Sequence, residues 1–230
     1  MKHRHLALAT ALLASLTLSA CSSDQASQGA PPATGTSAPP PFKDDTDVPL
    51  TKQLARGELT QAIPDAKDVV PGYYPGSLHK WPGAKADSCG PRDASPPAGW
   101  QQTGRGDYDY QGSTRSREID LYICQFDDAA HAKTAYDQLQ EKQETAPVQG
   151  PSPVGEESAF LAHSGQSGTV YAYSRSGNVV VRVRVEDAGA DPTDAHDVLA
   201  ATIKRLQQVQ AGRRATATAG EIAEAERAKR

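Results

Sequence analysis

The sequence predicts an α+β domain: an antiparallel sheet of about five strands, amphipathic helices on one face, and one disulfide. Three observations carry this expectation. Val179, Val181, Val183 and Val185 alternate with Arg182, Arg184 and Glu186, which is the period of a strand. Val198, Leu199, Thr202, Ile203, Leu206 and Val209 recur at helical spacing, which makes one apolar stripe. The strand-like segments follow one another through short turns, which suits hairpins and antiparallel pairing.

Taken in order, residues 50–70 suggest one or two short helices, with Leu54, Leu59 and Ile63 near helical spacing and Pro64 as a break. Residues 71–99 read as a long Pro- and Gly-rich loop holding Tyr73, Tyr74, Trp81 and Cys89. A structureless stretch of that length is uncommon unless it is functional or pinned, and Cys89 is the obvious pin. Strands are predicted around Tyr108 and Tyr110, then over 118–126, where Ile119, Leu121 and Ile123 alternate with Asp120, Tyr122 and Cys124. Asp127 has the character of an N-cap for a helix with Ala132, Ala135, Tyr136 and Leu139 on one face, ending near Pro147. Strands over 158–163 and 169–175, a turn at Ser176, Gly177 and Asn178, and the strand over 179–186 come next. Asp191, Pro192 and Asp194 then open the last helix as cap, first-turn proline and acid at its positive end.

The chain ends read differently. Residues 1–20 have the three parts of a secretory signal: basic Lys2 and Arg4, an apolar run over 6–18, and small residues before Cys21. That run is too short to span a bilayer. Leu18, Ser19, Ala20 and Cys21 resemble a bacterial lipobox. Lipoproteins of that kind carry diacylglycerol on the cysteine thiol and are cut just before it. The resemblance therefore implies Cys21 as a lipidated first residue and the outer face of the cell membrane as its location. Two acyl chains give the stable anchoring that one does not. An ordinary signal peptide with a chance cysteine is the alternative. Residues 21–49, rich in Pro, Ser and Ala, read as a tether with a reach of about 30 Å. Residues 50–210 form one domain, and 211–230 a flexible or helical tail.

Of the 24 Lys and Arg residues two lie in the signal, so 22 remain against 28 Asp and Glu, a net charge near −6. That balance excludes nucleic acid as a partner. With Cys21 assigned to lipid, Cys89 and Cys124 remain, and an even pair in an exported chain reads as a disulfide. It would close a loop of about 35 residues and remove about 3 to 4 kcal/mol of unfolded-state entropy. Two free buried thiols are the alternative.

If the Ile119 and Val179 series face the helices, the other face carries Asp120, Tyr122, Cys124, Arg182 and Arg184, joined by Tyr171, Tyr173, Tyr108 or Tyr110. Tyrosine rings and guanidinium forks suit glycans, peptides or small anions. A bond from Cys124 to Cys89 would draw the Pro-rich loop and Trp81 across that face, as a groove or as a lid. In the competing reading the loop covers the sheet and the arginines pair with Asp120 and Glu186.

Enzyme signatures are thin. Ser77 and Lys80 fit an S-x-x-K pattern but lie in a Pro-rich stretch without its usual partners, and Ser164 to Gly168 miss the nucleophile elbow. No H-E-x-x-H occurs, so no metal or other cofactor is expected. Asp187, Asp191, Asp194 and Asp197 lack the glycine and terminal glutamate of a calcium loop, and capping already explains two of them. Arg105, Gly106 and Asp107 match an adhesion tripeptide of a length that recurs by chance.

The lipobox, the tether and the order hairpin, cap and amphipathic helix resemble small surface lipoproteins of actinobacteria. Over 50–210 the domain is similar to the extracellular sensor-like domain of mycobacterial receptor serine/threonine kinases. Those domains carry two disulfides, and this chain offers one pair. The resemblance implies ligand sensing rather than catalysis. The expectation is a non-enzymatic, membrane-anchored module with Tyr122, Arg182, Arg184, Asp120 and Trp81 as candidate contacts for a cell-wall, lipid or protein ligand. The alternative is a structural protein docking an envelope partner. A Ser, His and acid within hydrogen-bond reach would instead favour a hydrolase.

Overall fold

The computed structural model describes residues 48–70, 72–77, 88–90, 96–111, 116–141, 145–163, 165 and 168–230. The signal, the tether up to residue 47, Cys21, Lys80 and Trp81 lie outside the described residues, together with the expectations placed on them.

The elements are α1 (Arg56–Ala62), a 3-10 turn (Ala66–Asp68), β1 (Tyr73–Ser77), β2 (Trp100–Gln111), β3 (Ser116–Phe126) and α2 (Ala129–Glu141). Then come β4 (Ala146–Pro147), β5 (Glu157–His163), β6 (Thr169–Ser176), β7 (Val179–Glu186), α3 (Thr193–Gln210) and α4 (Ala219–Ala228). All strands join one antiparallel sheet in the order β1-β2-β3-β7-β6-β5-β4.

The sheet has seven strands, not five. The two extra ones, β1 and β4, are its edges, and each contains a proline, Pro75 and Pro147. An edge strand tolerates the missing N–H, and the proline blunts the edge against further pairing. Two separate proline-containing stretches therefore hid one strand each. α2 stops at Glu141, short of Pro147.

Helices lie on both faces, which corrects the expectation of one. On the first face Ile119, Leu121 and Ile123 of β3 and Val179, Val181, Val183 and Val185 of β7 are fully buried. They meet Leu59 of α1, Ile63 just beyond it, and Val198, Leu199, Ile203 and Leu206 of α3 in one core. Each such side chain contributes about 1.5–3 kcal/mol on burial. Gly104 on β2 admits α1 closely, since a Cβ there would stand 3.3 Å from Ile63 and 3.4 Å from Leu59. On the second face Ala132, Ala135, Tyr136 and Leu139 of α2 pack on Cys124, Phe126, Tyr173 and Val180. The chain needs that helix there: after β3 it must cross to the far edge before returning through β4, β5 and β6 to β7. Tyr108 points into the first face, fully buried, and its hydroxyl donates to the Pro64 carbonyl at 2.7 Å.

Gly177 turns the chain between β6 and β7 with φ +53°, the left-handed conformation that hairpin turns require. The incoming chain is tied to this turn. The Asn178 N–H donates to the Leu50 carbonyl at 2.8 Å, and the amide of Gln210, the last residue of α3, accepts from Thr51 and Lys52 N–H at 2.7 and 2.9 Å and donates to the Pro49 carbonyl.

Arg205 of α3, 4% exposed, gathers the other end of α1. It donates to the carbonyls of Gln61, Ala62, Ile63 and Ala217 and pairs with Asp68 at 3.2 Å. In the 211–230 tail the Thr216 and Ala217 N–H groups donate to the Gln208 amide, Thr218 caps α4 reciprocally with Glu221, and Ala219 and Ile222 pack on the first core. No helix among the described residues is long and apolar enough to cross a membrane.

Candidate functional site

The second face is built in rows by the strand register. One row runs Arg105, Tyr122, Arg182, Tyr173, and the next runs Asp107, Asp120, Arg184, Tyr171. Alternation puts every one of these side chains on the face opposite α3. Four of the five candidate contacts, Asp120, Tyr122, Arg182 and Arg184, therefore come together there, with Tyr171 and Tyr173 beside them. Arg105, which sequence reading treated only as part of a tripeptide, belongs to the same group.

The rings and guanidinium groups interleave. Arg105 lies 5.3 Å from the Tyr122 ring centre, Arg182 lies 5.4 Å from the same ring and 5.6 Å from that of Tyr171, and Tyr171 stacks on Tyr173 at 6.4 Å. The three arginines differ in their ion pairs. Arg184 bonds Asp120 at 2.6 Å and also Glu186. Arg105 bonds Asp107 at 2.7 Å, which consumes the adhesion-like tripeptide internally, and lies 3.6 Å from Asp120. Arg182 has no carboxylate partner among the described residues, and its buried Nε has no hydrogen-bond acceptor there. The pairing expected of both β7 arginines thus holds for Arg184 alone.

Burial dominates the electrostatics. It pushes the Asp120 carboxyl up to about 6, against the pull of Arg184, and raises the Tyr122 phenol. One row further on, Cys124 forms the expected disulfide with Cys89, with Cα atoms 5.6 Å apart. Cys89 Sγ also meets Thr103 Oγ1 at 2.9 Å, and the Trp100 indole N–H donates to the same hydroxyl at 2.8 Å. The bond fixes the Cys89 segment against the Tyr122 row, and Ser88 hydrogen-bonds the phenol. α2 covers the Phe126 and Val180 end of the face and leaves Arg105 and Arg182 partly exposed.

Other expectations disperse. Asp191 accepts from the N–H and hydroxyl of Thr193, Asp194 pairs with Arg117 at 3.0 Å, and Asp197 bonds His196, so the acidic run does not converge on a cation. Among the described residues Asp127, Asp128 and His131 do come together at the start of α2, exposed. Asp128 caps the His131 N–H at 2.8 Å and Asp127 holds the ring at 2.7 Å, so the cap lies one residue beyond the predicted one. A groove of about 530 Å³ lined by Asp65, Arg205, Arg213 and Arg214 and a cavity of about 250 Å³ beside α4 both lie away from the arginine and tyrosine rows. The cavity holds a group sequence reading missed, Ser152 with His196 and Asp197. Ser152 is 44 residues from His196, and no short motif joins them.

Residues 45–221 match the profile of a family described as "Domain of unknown function (DUF7373) N-terminal". No curated protein matches the sequence. Among solved structures, the crystal structure of the extracellular domain of PknH from Mycobacterium tuberculosis is similar with a TM-score of 0.47 and 14% identity. The match covers 70% of this chain and 98% of that one.

Proposed function

The chain belongs to the DUF7373 N-terminal domain family, and from that premise we propose that it is a sensor-like binding module of the cell envelope that takes an anionic ligand on its arginine and tyrosine face. In this reading diacylglycerol on Cys21 holds it to the outer face of the cell membrane, and the disulfide fits an oxidising, extracytoplasmic setting.

One observation carries the reading. On a single strand, Arg184 is doubly paired, whereas Arg182, two residues away, lies against two tyrosine rings with no carboxylate among the described residues. A half-buried guanidinium without an anion is costly unless something supplies one. Its forked donors match a carboxylate or a phosphate, and the flanking rings would receive the flat or apolar part of the same molecule.

The test is a thermal-shift series on the mature chain with carboxylate-bearing peptidoglycan fragments, glycerol phosphate oligomers and neutral sugars. A ligand at 100 times its dissociation constant adds about 2.7 kcal/mol. An anion-dependent shift that Arg182→Met removes is expected. A silent panel over a cooperative melt would overturn the small-ligand reading in favour of a protein partner docked on the same face.

A further inference from the structure

On the other side of the sheet, at the junction of α3 and α4, we propose a second and chemically distinct site: an acyl-transfer centre in which Ser152 is the nucleophile and His196 the base, acting on small esters. Ser152 Oγ lies 3.0 Å from His196 Nε2, and His196 Nδ1 lies 2.8 Å from Asp197 Oδ1. This is the order nucleophile, base, orienting carboxylate that activates a serine on unrelated folds. His196 is 1% exposed, with the Phe160 ring 5.9 Å away, while Ser152 is only half-buried. The base is therefore dry and the hydroxyl reachable.

A cavity of about 250 Å³ opens on both residues. Val154, Ala200, Ile203, Ile222 and Ala225 give it apolar walls, and Lys204 and Lys229 also line it. Its volume falls below the roughly 300–1,000 Å³ of pockets for drug-sized ligands, which suits a short acyl group. In the reaction Ser152 Oγ bonds the acyl carbon as the ester C–O bond breaks. The hydroxyl proton passes to His196 Nε2 and from there to the departing alkoxide. Water then attacks the acyl-serine, gives its proton to the same nitrogen, and the serine is returned with release of a carboxylic acid.

Glu226 of α4 tempers this chemistry. Its carboxylate accepts from the Ser152 hydroxyl at 3.1 Å and is itself held by Lys229 at 2.7 Å. The hydroxyl proton thus has two acceptors: on Glu226 the serine is idle, and on His196 it is primed. α4 therefore acts as a brake on the nucleophile.

The experiment treats the mature full-length chain with a fluorophosphonate probe and with p-nitrophenyl acetate and butyrate, reading the adduct by mass spectrometry. A single adduct on Ser152 is expected, lost in Ser152→Ala. Asp197→Asn should slow labelling by about 100-fold or more, through loss of the correct imidazole tautomer. Glu226→Ala should accelerate labelling. No Ser152 adduct on a cooperatively melting Glu226→Ala protein, or ester turnover equal in wild type and Ser152→Ala, would overturn the proposal.

Discussion

Arg182 and Arg184 provide the sharpest test of which groups hold the fold and which are kept for something else. Replacing Arg184 by Met removes the 2.6 Å bond to Asp120, a carboxylate only 4% exposed, and leaves it Arg105 at 3.6 Å. Protonation limits the damage. With its carboxyl pushed up to about 6, the native protein at pH 7 gains only about 1 to 2 kcal/mol from ionised rather than neutral Asp120. The variant forfeits that by taking a proton, and about 1 kcal/mol more for the lost hydrogen bond. The expected loss is therefore about 2–3 kcal/mol at pH 7, or a fall in Tm of about 5–10 °C, shrinking to about 1 kcal/mol at pH 5. Arg182→Met gives up two ring contacts worth about 0.5–1 kcal/mol each but relieves a buried unbonded Nε, and should stay within about 1 kcal/mol of wild type. Urea titrations of both variants at pH 5 and pH 7 measure these differences. A pH-independent loss for Arg184→Met, or a larger loss for Arg182→Met, would refute the assignment of the first arginine as structural and the second as spare.

Further expectations concern the rest of the molecule. Because folding raises the Asp120 carboxyl, the native state holds that proton more tightly than the unfolded chain, so this group's contribution falls as pH climbs from about 4 through about 6. Asp120→Asn should flatten the stability profile over that window, as melts at half-unit pH steps would show. Arg205→Met strands four carbonyls and Asp68 and should cost about 3–5 kcal/mol by denaturant titration. Replacing Cys89 and Cys124 by alanine should cost about 3 to 4 kcal/mol, measurable by the same titration.

Much of the architecture could be read from residue order. The alternation in β7 and the helical period of α3 each had a strong local signal, and the structure places both as expected. What failed to show was which face a residue served. The run Val179, Val180, Val181 is apolar without alternation, and Cys124 and Phe126 extend apolar character to the second face of β3. That is the mark of a sheet covered on both sides, and it foretold α2. Tyr108 could not be assigned because Gly104 and Gly106 beside it carry no side chain to reveal a parity. The capping box of Thr218 and Glu221 that starts α4 went unread in a tail with little apolar character, which left that segment between flexible and helical. Parity brought Asp120, Tyr122, Arg182 and Arg184 to one face, but not Arg105. The distinction between Arg182 and Arg184 was not legible, because it depends on which carboxylate each meets across the strands.

The bonds that join residues 49–52 to Gln210 and Asn178 bear on mechanics. Any pull transmitted along the chain from residues before 48 reaches the domain first at this clasp, where Leu50, 1% exposed, is also plugged into the core. Tension would be shared between the end of α3 and the turn joining β6 to β7, rather than peeling an edge strand from the sheet. A load on the chain ahead of residue 48 would therefore meet the core and the turn after β6 before it met the edge strands β1 and β4.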